Sequence, residues 1–469
     1  MVTKRILLIL AVVGSLCLSA DVFSDSVSAQ TKQVVKKDTK KARLAAEKGR
    51  VAFGKRDYRI AADSYSQAVD FDPDNADYYF WKGAAYFYLE EHEKALPELE
   101  TALAKGYKTP LKVYGIRWRS YFAEKNYTAA LADVRKGTEL DPNDVTFWQA
   151  AGDISYANGD FRGAVDAYQK VISKDPNKSD LYIEIARANS RLGDAAGQVA
   201  AAEEAVKRPS PALGEALLLL ADGYQKQRKF DEAIVAYQKA VAARPNEYPA
   251  YHNLAELLRN QNRFNEAIET LRRALRTFPN DGRIYTRLSS LYSLADMKEE
   301  AVQAAQAGVR FLPNEHLGYT GLCRALNDVK KPEMAIRECN SALRLKPDDG
   351  ETYFYLARAH DLADKPTEAT QFYKRAVAAL IDFTTKNPDS SYGYYLLGNA
   401  YFADNQREKA IEAYVTCLRM SPRFVRARYN VGILQIRQKN KTAALEQYNR
   451  LLELDPELAG KLKAEIDKS

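Results

Sequence analysis

The stretch Ala233-Ile234-Val235-Ala236-Tyr237-Gln238-Lys239-Ala240, followed by Arg244-Pro245, decides the fold. Ala233, Tyr237 and Ala240 follow the i, i+4, i+7 spacing of one helix face. Pro245 ends that helix, because proline has no N–H to donate and disfavours helix in the residue before it. The same punctuation recurs outward in both directions, at Pro73, Pro142, Pro176, Pro279, Pro313, Pro347, Pro422 and Pro456, with several spacings equal to 34 or its multiples. Frames counted back 31 residues from each proline start at 42, 76, 111, 145, 179, 214, 248, 282, 316, 350, 391 and 425, those at 76, 179 and 350 being inferred from their neighbours. Twelve units therefore fill residues 42–458, and a search for internal periods takes precedence over a division by length.

Within a frame, position 20 is alanine in eleven of twelve copies, the exception being Gln198. Position 8 is small in most copies (Gly49, Gly83, Gly152, Ala221, Ala255, Ala357, Gly398, Gly432), and position 4 is a large aromatic in nine. Apolar residues at 4, 7, 8 and 11, then at 20, 24 and 27, predict two amphipathic helices with a polar turn between them, as at Gly159-Asp160. Small residues at 8 and 20 let the two axes approach closely.

This pattern resembles the tetratricopeptide repeat family over residues 42–458, with Ile411-Glu412-Ala413-Tyr414 and Ala233 to Ala240 following the family's second helix. The resemblance implies an all-α fold, an α-solenoid forming a right-handed superhelix of about twelve helical hairpins, stacked in one dimension and closed by a capping helix at 459–469. The fifth unit departs furthest, with Gln198 at position 20 and Pro209 and Pro211 in place of one terminating proline, so looser packing is expected there. In the tenth unit the proline, Pro388, falls at position 39 instead of 32. Seven extra residues are two helical turns, so the helix through Ala376–Ile381 is expected to project by about 10 Å more than its neighbours.

The N-terminus carries Lys4 and Arg5, an apolar run from Ile6 to Leu18, and small residues ending in Val27-Ser28-Ala29, the layout of a secretory signal peptide. Residues 1–29 are read as that peptide, with a cut after Ala20 as the competitor. A run of about 13 apolar residues is shorter than the roughly 20 that span a membrane. Cys17 would be the attachment point of a lipoprotein, against which Leu16 is bulky for a lipobox. Residues 30–41, with five lysines against Asp38, read as a flexible linker. The expected location is exported, either periplasmic and envelope-associated or secreted.

The 469 residues are 46% hydrophobic and 28% charged, which places the bulk of the chain in the globular class. Lys+Arg 69 against Asp+Glu 62 leaves +7, spread too thinly for a nucleic-acid binder, and no nucleic-acid partner is expected. No phosphate loop, His-Glu-x-x-His or Gly-x-Ser-x-Gly elbow occurs, so neither enzyme activity nor a cofactor is expected. The four histidines, His92, His252, His316 and His360, stand in different units without a second ligand at metal spacing, and no metal is expected. Cys323 and Cys339 occupy positions 8 and 24 of one unit. They are either a disulfide, which an exported chain permits, or two small buried hydrophobes.

The resemblance also implies a concave surface lined by positions 2, 5, 9 and 12 of the first helices. Position 9 supplies Arg50, Arg119, Arg187, Arg324 and Arg358, and the same inner set holds Phe80, Phe87, Phe122 and Tyr156 towards one end and Tyr392, Tyr395, Phe402 and Tyr429 towards the other. Guanidinium forks and exposed rings suit an extended protein or peptide partner carrying acidic and apolar residues. The lysine-asparagine grip on chaperone C-termini found in some family members is not expected, because Tyr395 stands where Asn399 would need a lysine. The sequence is thus read as a non-enzymatic scaffold or assembly factor of the cell envelope. The alternatives are an outer-membrane assembly or secretion lipoprotein and a carbohydrate- or peptidoglycan-binding repeat protein, with membrane contact only peripheral or through a lipid.

Overall fold

The computed structural model describes residues 37–469; the expected signal peptide and the linker up to residue 36 lie outside the described residues. Twenty-five α-helices and no strand are found among the described residues. They pair as twelve antiparallel hairpins, from α1 (Thr39–Gly54) with α2 (Tyr58–Phe71) to α23 (Val425–Arg437) with α24 (Lys441–Leu452), and α25 (Pro456–Lys468) closes the series. The chain is an all-α solenoid of repeated hairpins. The described residues divide into two compact bodies, one ending at Asp133 and the other spanning Val134–Ser469.

The repeat frame has a backbone signature. The residue at position 15 of every repeat has positive φ: Arg56, Glu90, Lys125, Gly159, Gly193, Arg228, Asn262, Asp296, Lys330, Asp364, Asn405 and Lys439. Only two of the twelve are glycine, so ten side chains sit in the left-handed region that closes the first helix of each hairpin.

The side-chain periodicities have equally specific causes. All eleven alanines at position 20 are 0–1% exposed, as is Gln198 at 0%. A Cβ built on Gly49, Gly83, Gly152 or Gly398 at position 8 would lie 2.4–2.9 Å from the side chain at position 24 of the same repeat, namely Tyr65, Leu99, Tyr168 or Tyr414. Position 8 is small because position 24 fills its space. The aromatic at position 4 donates back to the terminating proline of the preceding repeat: Tyr79 Oη to the Pro73 carbonyl (3.1 Å), Trp148 Nε1 to Pro142 (3.2 Å), Tyr285 Oη to Pro279 (3.1 Å) and Tyr353 Oη to Pro347 (2.8 Å). Arg428 does the same to Pro422 at 2.7 Å.

Several sequence expectations need correction. α1 begins at Thr39, so residues 39–41 belong to the helix, Asp38 caps it by accepting from the Lys41 N–H at 3.0 Å, and Lys37 pairs with Asp72 (3.2 Å) and Asp74 (2.8 Å). The segment expected to be a flexible linker up to residue 41 is therefore held from Lys37 onward. The final helix starts at Pro456, three residues before the expected boundary, and packs Ala459, Leu462 and Ile466 onto Val425, Ala444 and Leu451. The fifth repeat is not loose at Gln198, whose amide donates to the Leu219 carbonyl (2.7 Å) and to Asp222 (2.8 Å) and accepts from Lys226 (3.1 Å). A buried amide with its partners met replaces an alanine without an orphaned group.

In the tenth repeat, α20 (Pro366–Lys386) has 21 residues where α18 (Pro332–Leu345) and α22 (Arg407–Met420) have 14. The extra turns are partly covered, since Leu380 packs on Gly350 and Phe383 on Gly393. Ile381 (42%) and Phe383 (40%) nonetheless remain exposed.

Candidate functional site

Cys323 and Cys339 form a disulfide with their Cα atoms 5.3 Å apart. The bridge joins position 8 to position 24, the pair that is glycine against tyrosine in other repeats, so two small side chains meet where one large one otherwise fills the gap. It ties α17 (His316–Asp328), the helix that carries Arg324, to α18. Cys417 is buried, and burial pushes its thiol up to about 12.

In the body ending at Asp133, the expected inner residues have separate surroundings. Phe80 is 3% exposed and stacks on Tyr107 with centroids 4.3 Å apart, inside a cluster with Leu99 and Val113. Its assignment to the concave surface is corrected: position 5 of this repeat turns into the core. Phe87 packs partly buried against Tyr88 and His92. Arg50 pairs with Glu47 of its own helix, Arg119 lies 4.4 Å over the Trp118 ring, and Phe122, 37% exposed, meets Tyr127.

In the second body, Tyr156 packs edge-on against Phe161, Phe402 lies under Arg437, and Tyr429 packs beside the Val425 and Leu462 cluster. Arg187 forks between Glu184 and Glu215. The remaining four, Arg324, Arg358, Tyr392 and Tyr395, converge on one cavity of about 350 Å³. Arg50, Arg187, Arg324 and Arg358 each have a carboxylate of this chain beside them.

The cavity is lined largely from inner positions of repeats seven to twelve. Arg259 comes from α13 (Tyr248–Asn260), Ser290 and Ser293 from α15 (Gly282–Leu294), Arg324 and Asp328 from α17, and Phe354, Tyr355 and Arg358 from α19 (Gly350–Leu362). Tyr392, Tyr395 and Asn399 come from α21 (Ser391–Ala403), and Phe424, the last residue of the eleventh repeat, closes it together with Arg426 of the twelfth. Sequence reasoning missed Arg259, Phe354, Asn399 and Arg426, although each falls at position 12, 5, 9 or 2. The inner-position rule applied to all residue types would have found them.

A buried polar network forms one wall. Glu351 lies 3.7 Å from Arg324 and accepts from Tyr392 Oη at 2.8 Å, while Arg324 stands 5.9 Å from the centroid of the Tyr355 ring. Burial holds the Glu351 carboxyl above the usual carboxylate range despite Arg324, and burial with the Glu351 charge holds the Tyr392 phenol well above its ordinary value. Burial alone would pull the Arg324 guanidinium down, but Tyr355, Tyr392 and Glu351 outweigh it and raise it. Each member of such a network is costly to leave unpaired at low dielectric. Elsewhere in the lining Arg358 pairs with Asp328 at 3.3 Å, and Tyr395 meets Phe424 with centroids 4.8 Å apart.

The second body also closes across this cavity. Arg426 Nη2 donates to the carbonyls of Ser293 (3.1 Å) and Leu294 (3.0 Å) at the C-terminal end of α15, and Asn262 Nδ2 donates to the Arg423 carbonyl (2.9 Å). A cation on the last carbonyls of a helix satisfies orphaned acceptors and opposes the negative end of its dipole. Asn399 and Asn430 are engaged internally: the Asn399 amide oxygen accepts from Tyr414 Oη (2.7 Å) and from Asn430 Nδ2 (3.1 Å).

No metal-binding group of His, Cys, Asp and Glu occurs among the described residues, and no described helix is long and apolar enough to cross a membrane. His92, His252 and His360 lie against Phe87, Tyr248 and Phe372, and His316 is 3.8 Å from Asp349.

Among known proteins the chain is similar to Hsp70-Hsp90 organizing protein 3 of Arabidopsis thaliana, 25% identical over 44% of this chain and 31% of that protein. It is also similar to RNA polymerase II-associated protein 3 of Homo sapiens, 25% identical over 44% of this chain and 28% of that protein. The matched part spans about a third of the length of these relatives. Among solved structures, that of yeast Tom70 aligns with 92% of this chain and 96% of its own, at 14% identity and a TM-score of 0.41, too low to support an argument. Family models described as tetratricopeptide repeat match residues 47–109, 119–178, 150–213, 224–291 and 395–459. These spans together take in more than half of the chain, and each falls on the hairpins whose left-handed turn recurs at position 15, so the chain belongs to the tetratricopeptide repeat family.

Proposed function

We propose that this chain is a non-enzymatic protein-interaction scaffold of the cell envelope, exported through its N-terminal segment and holding protein partners on the concave positions of its repeats. Guanidinium and aromatic side chains left at least partly exposed at inner positions outside the cavity, Arg119, Phe122, Tyr156 and Arg187, on hairpins of this family are the observation that carries the reading. Guanidinium groups and aromatic rings at the inner positions offer charge-assisted and stacking contacts to acidic and apolar side chains. The relatives whose names speak of organizing Hsp70 and Hsp90 support a binding role in kind. Their chaperone partners are not carried over, because Asn399 and Asn430 already bond to one another and Tyr395 stands where a lysine would be needed.

The test is crosslinking in the native envelope, with mass-spectrometric identification of captured proteins, for wild type against Arg119→Glu combined with Arg358→Glu. Arg119 and Arg358 are chosen because both are exposed enough for charge reversal to leave the buried Arg324 network intact. A protein captured by the wild type and lost from the variant is expected; an unchanged set of captured proteins would refute concave binding. The intact mass of the purified chain checks export. A start at Gln30 or Asp21 is expected, and a lipid mass on Cys17 would favour the lipoprotein alternative.

A further inference from the structure

The cavity has more donors than the chain itself uses. Together with an adjoining pocket that shares Arg259 and Arg324, its lining presents five guanidiniums, Arg259, Arg287, Arg324, Arg358 and Arg426, against three carboxylates, Glu256, Asp328 and Glu351. The buried Nε atoms of Arg259 and Arg324 have no hydrogen-bond partner, and Arg426 binds backbone carbonyls, with no carboxylate of the described residues at ion-pair distance. Buried N–H donors left unpaired are costly, and an anion supplied from outside would satisfy them. Phe354, Tyr355, Tyr392, Tyr395 and Phe424 add flat apolar walls, so the same space suits a ring.

Size and closure select the kind of occupant. About 350 Å³ falls at the small end of pockets that take organic ligands. The bonds from Arg426 to the end of α15 and from Asn262 to Arg423 close the body across it, against passage of a continuous extended chain.

We propose that this chamber binds a free small organic anion, a planar ring bearing one carboxylate or phosphate, with the ring between the tyrosines and the anionic group among Arg259, Arg324, Arg358 and Arg426. This goes beyond the scaffold reading and stands or falls separately from it. Partner capture concerns proteins recovered from the envelope, whereas the chamber is tested with pure chain and pure probe.

The test is isothermal titration of the full chain with 4-nitrobenzoate, 4-nitrophenyl phosphate and the neutral 4-nitrobenzamide, at low salt. At least one of the two anions is expected to bind about tenfold or more tightly than the amide, and Arg358→Met to weaken that anion by about tenfold, the effect of losing one charge-assisted contact. Arg426→Met is expected to weaken it as well; if that variant unfolds on thermal melting, Arg358→Met and Tyr395→Ala still decide. Absence of binding by both anions, equal binding of the amide, or full affinity in Arg358→Met would overturn the proposal. So would tighter binding of a blocked Glu-Phe-Asp peptide than of either anion, which would assign the chamber to a protein segment.

Discussion

Gly152 and Tyr168 show how a single residue carries the repeat. A Cβ at Gly152 would stand 2.4 Å from the Tyr168 ring, whose hydroxyl is fixed on Asp153 at 2.8 Å and so has no freedom to withdraw. Gly152→Ala is expected to destabilise its repeat by about 2 kcal/mol, as overpacking of a dense core does, and a urea melt checks it. The left-handed turn gives the opposite sign. Lys439 holds φ 59° with a Cβ present, and Lys439→Gly should stabilise by roughly 0.5–1 kcal/mol net of the added unfolded-state entropy. The twelve copies of that turn went unnoticed in the sequence because ten of them are not glycine: the hairpin, not the local residue, enforces the conformation.

Asp133 provides a pH handle at the same scale. It is 4% exposed beside Arg117 at 3.0 Å, and burial, outweighing that arginine, pushes its carboxyl up to about 6. A folded-state value above the unfolded one means that the native chain binds the proton more readily. This group therefore adds stability as pH falls from 7 through about 6 towards 4, and loses it as pH rises. Chemical denaturation at pH 7 and pH 5 should show a gain on the order of 1 kcal/mol in wild type that is absent from Asp133→Asn.

At the scale of elements, a hairpin cannot bury its own face, and the last one relies on α25. Leu462 is fully buried and fills the space that a Cβ on Gly432 would occupy at 2.6 Å. Leu462→Ala should cost about 2–4 kcal/mol in the terminal repeats, seen as faster amide exchange in α23 and α24 with little change in distant repeats. The disulfide acts on one element pair. It closes 16 residues of sequence, so reduction is expected to lower the stability of the ninth repeat by about 3 kcal/mol, read by exchange with and without reductant. Helix type, pairing and the long α20 were legible from the 34-residue period and from Pro388. The pairing of positions 8 and 24 was legible too, which is why Cys323 and Cys339 could be set opposite each other. Whether they bond is decided by a Cα separation that spacing alone leaves open.

At the scale of the whole second body, the closure by Arg426 and Asn262 is the feature with the longest reach, joining residues 132 or more apart in sequence. Arg426→Ala removes both bonds to the end of α15. Faster exchange is expected at Ser293 and Leu294 and around Phe424, while the Arg324–Glu351 wall stays protected, since none of its bonds depends on Arg426.

The sequence by itself determined the all-α class, the twelve hairpins and their closing helix, because a helix face and its terminating proline are local properties repeated many times. It also determined which positions are small, since each hairpin brings position 8 against 24. Only the tertiary structure decided which inner residues meet. The cavity collects two to six residues from each of six repeats, and their convergence depends on how successive hairpins turn relative to one another. That turn is the sum of many side-chain packings between repeats, whereas the 34-residue period records only packing within one. The same summation sent Phe80 into a core, gave most of the expected arginines a carboxylate of their own chain, and brought Arg426, one residue among many at position 2, onto the end of a helix four repeats away.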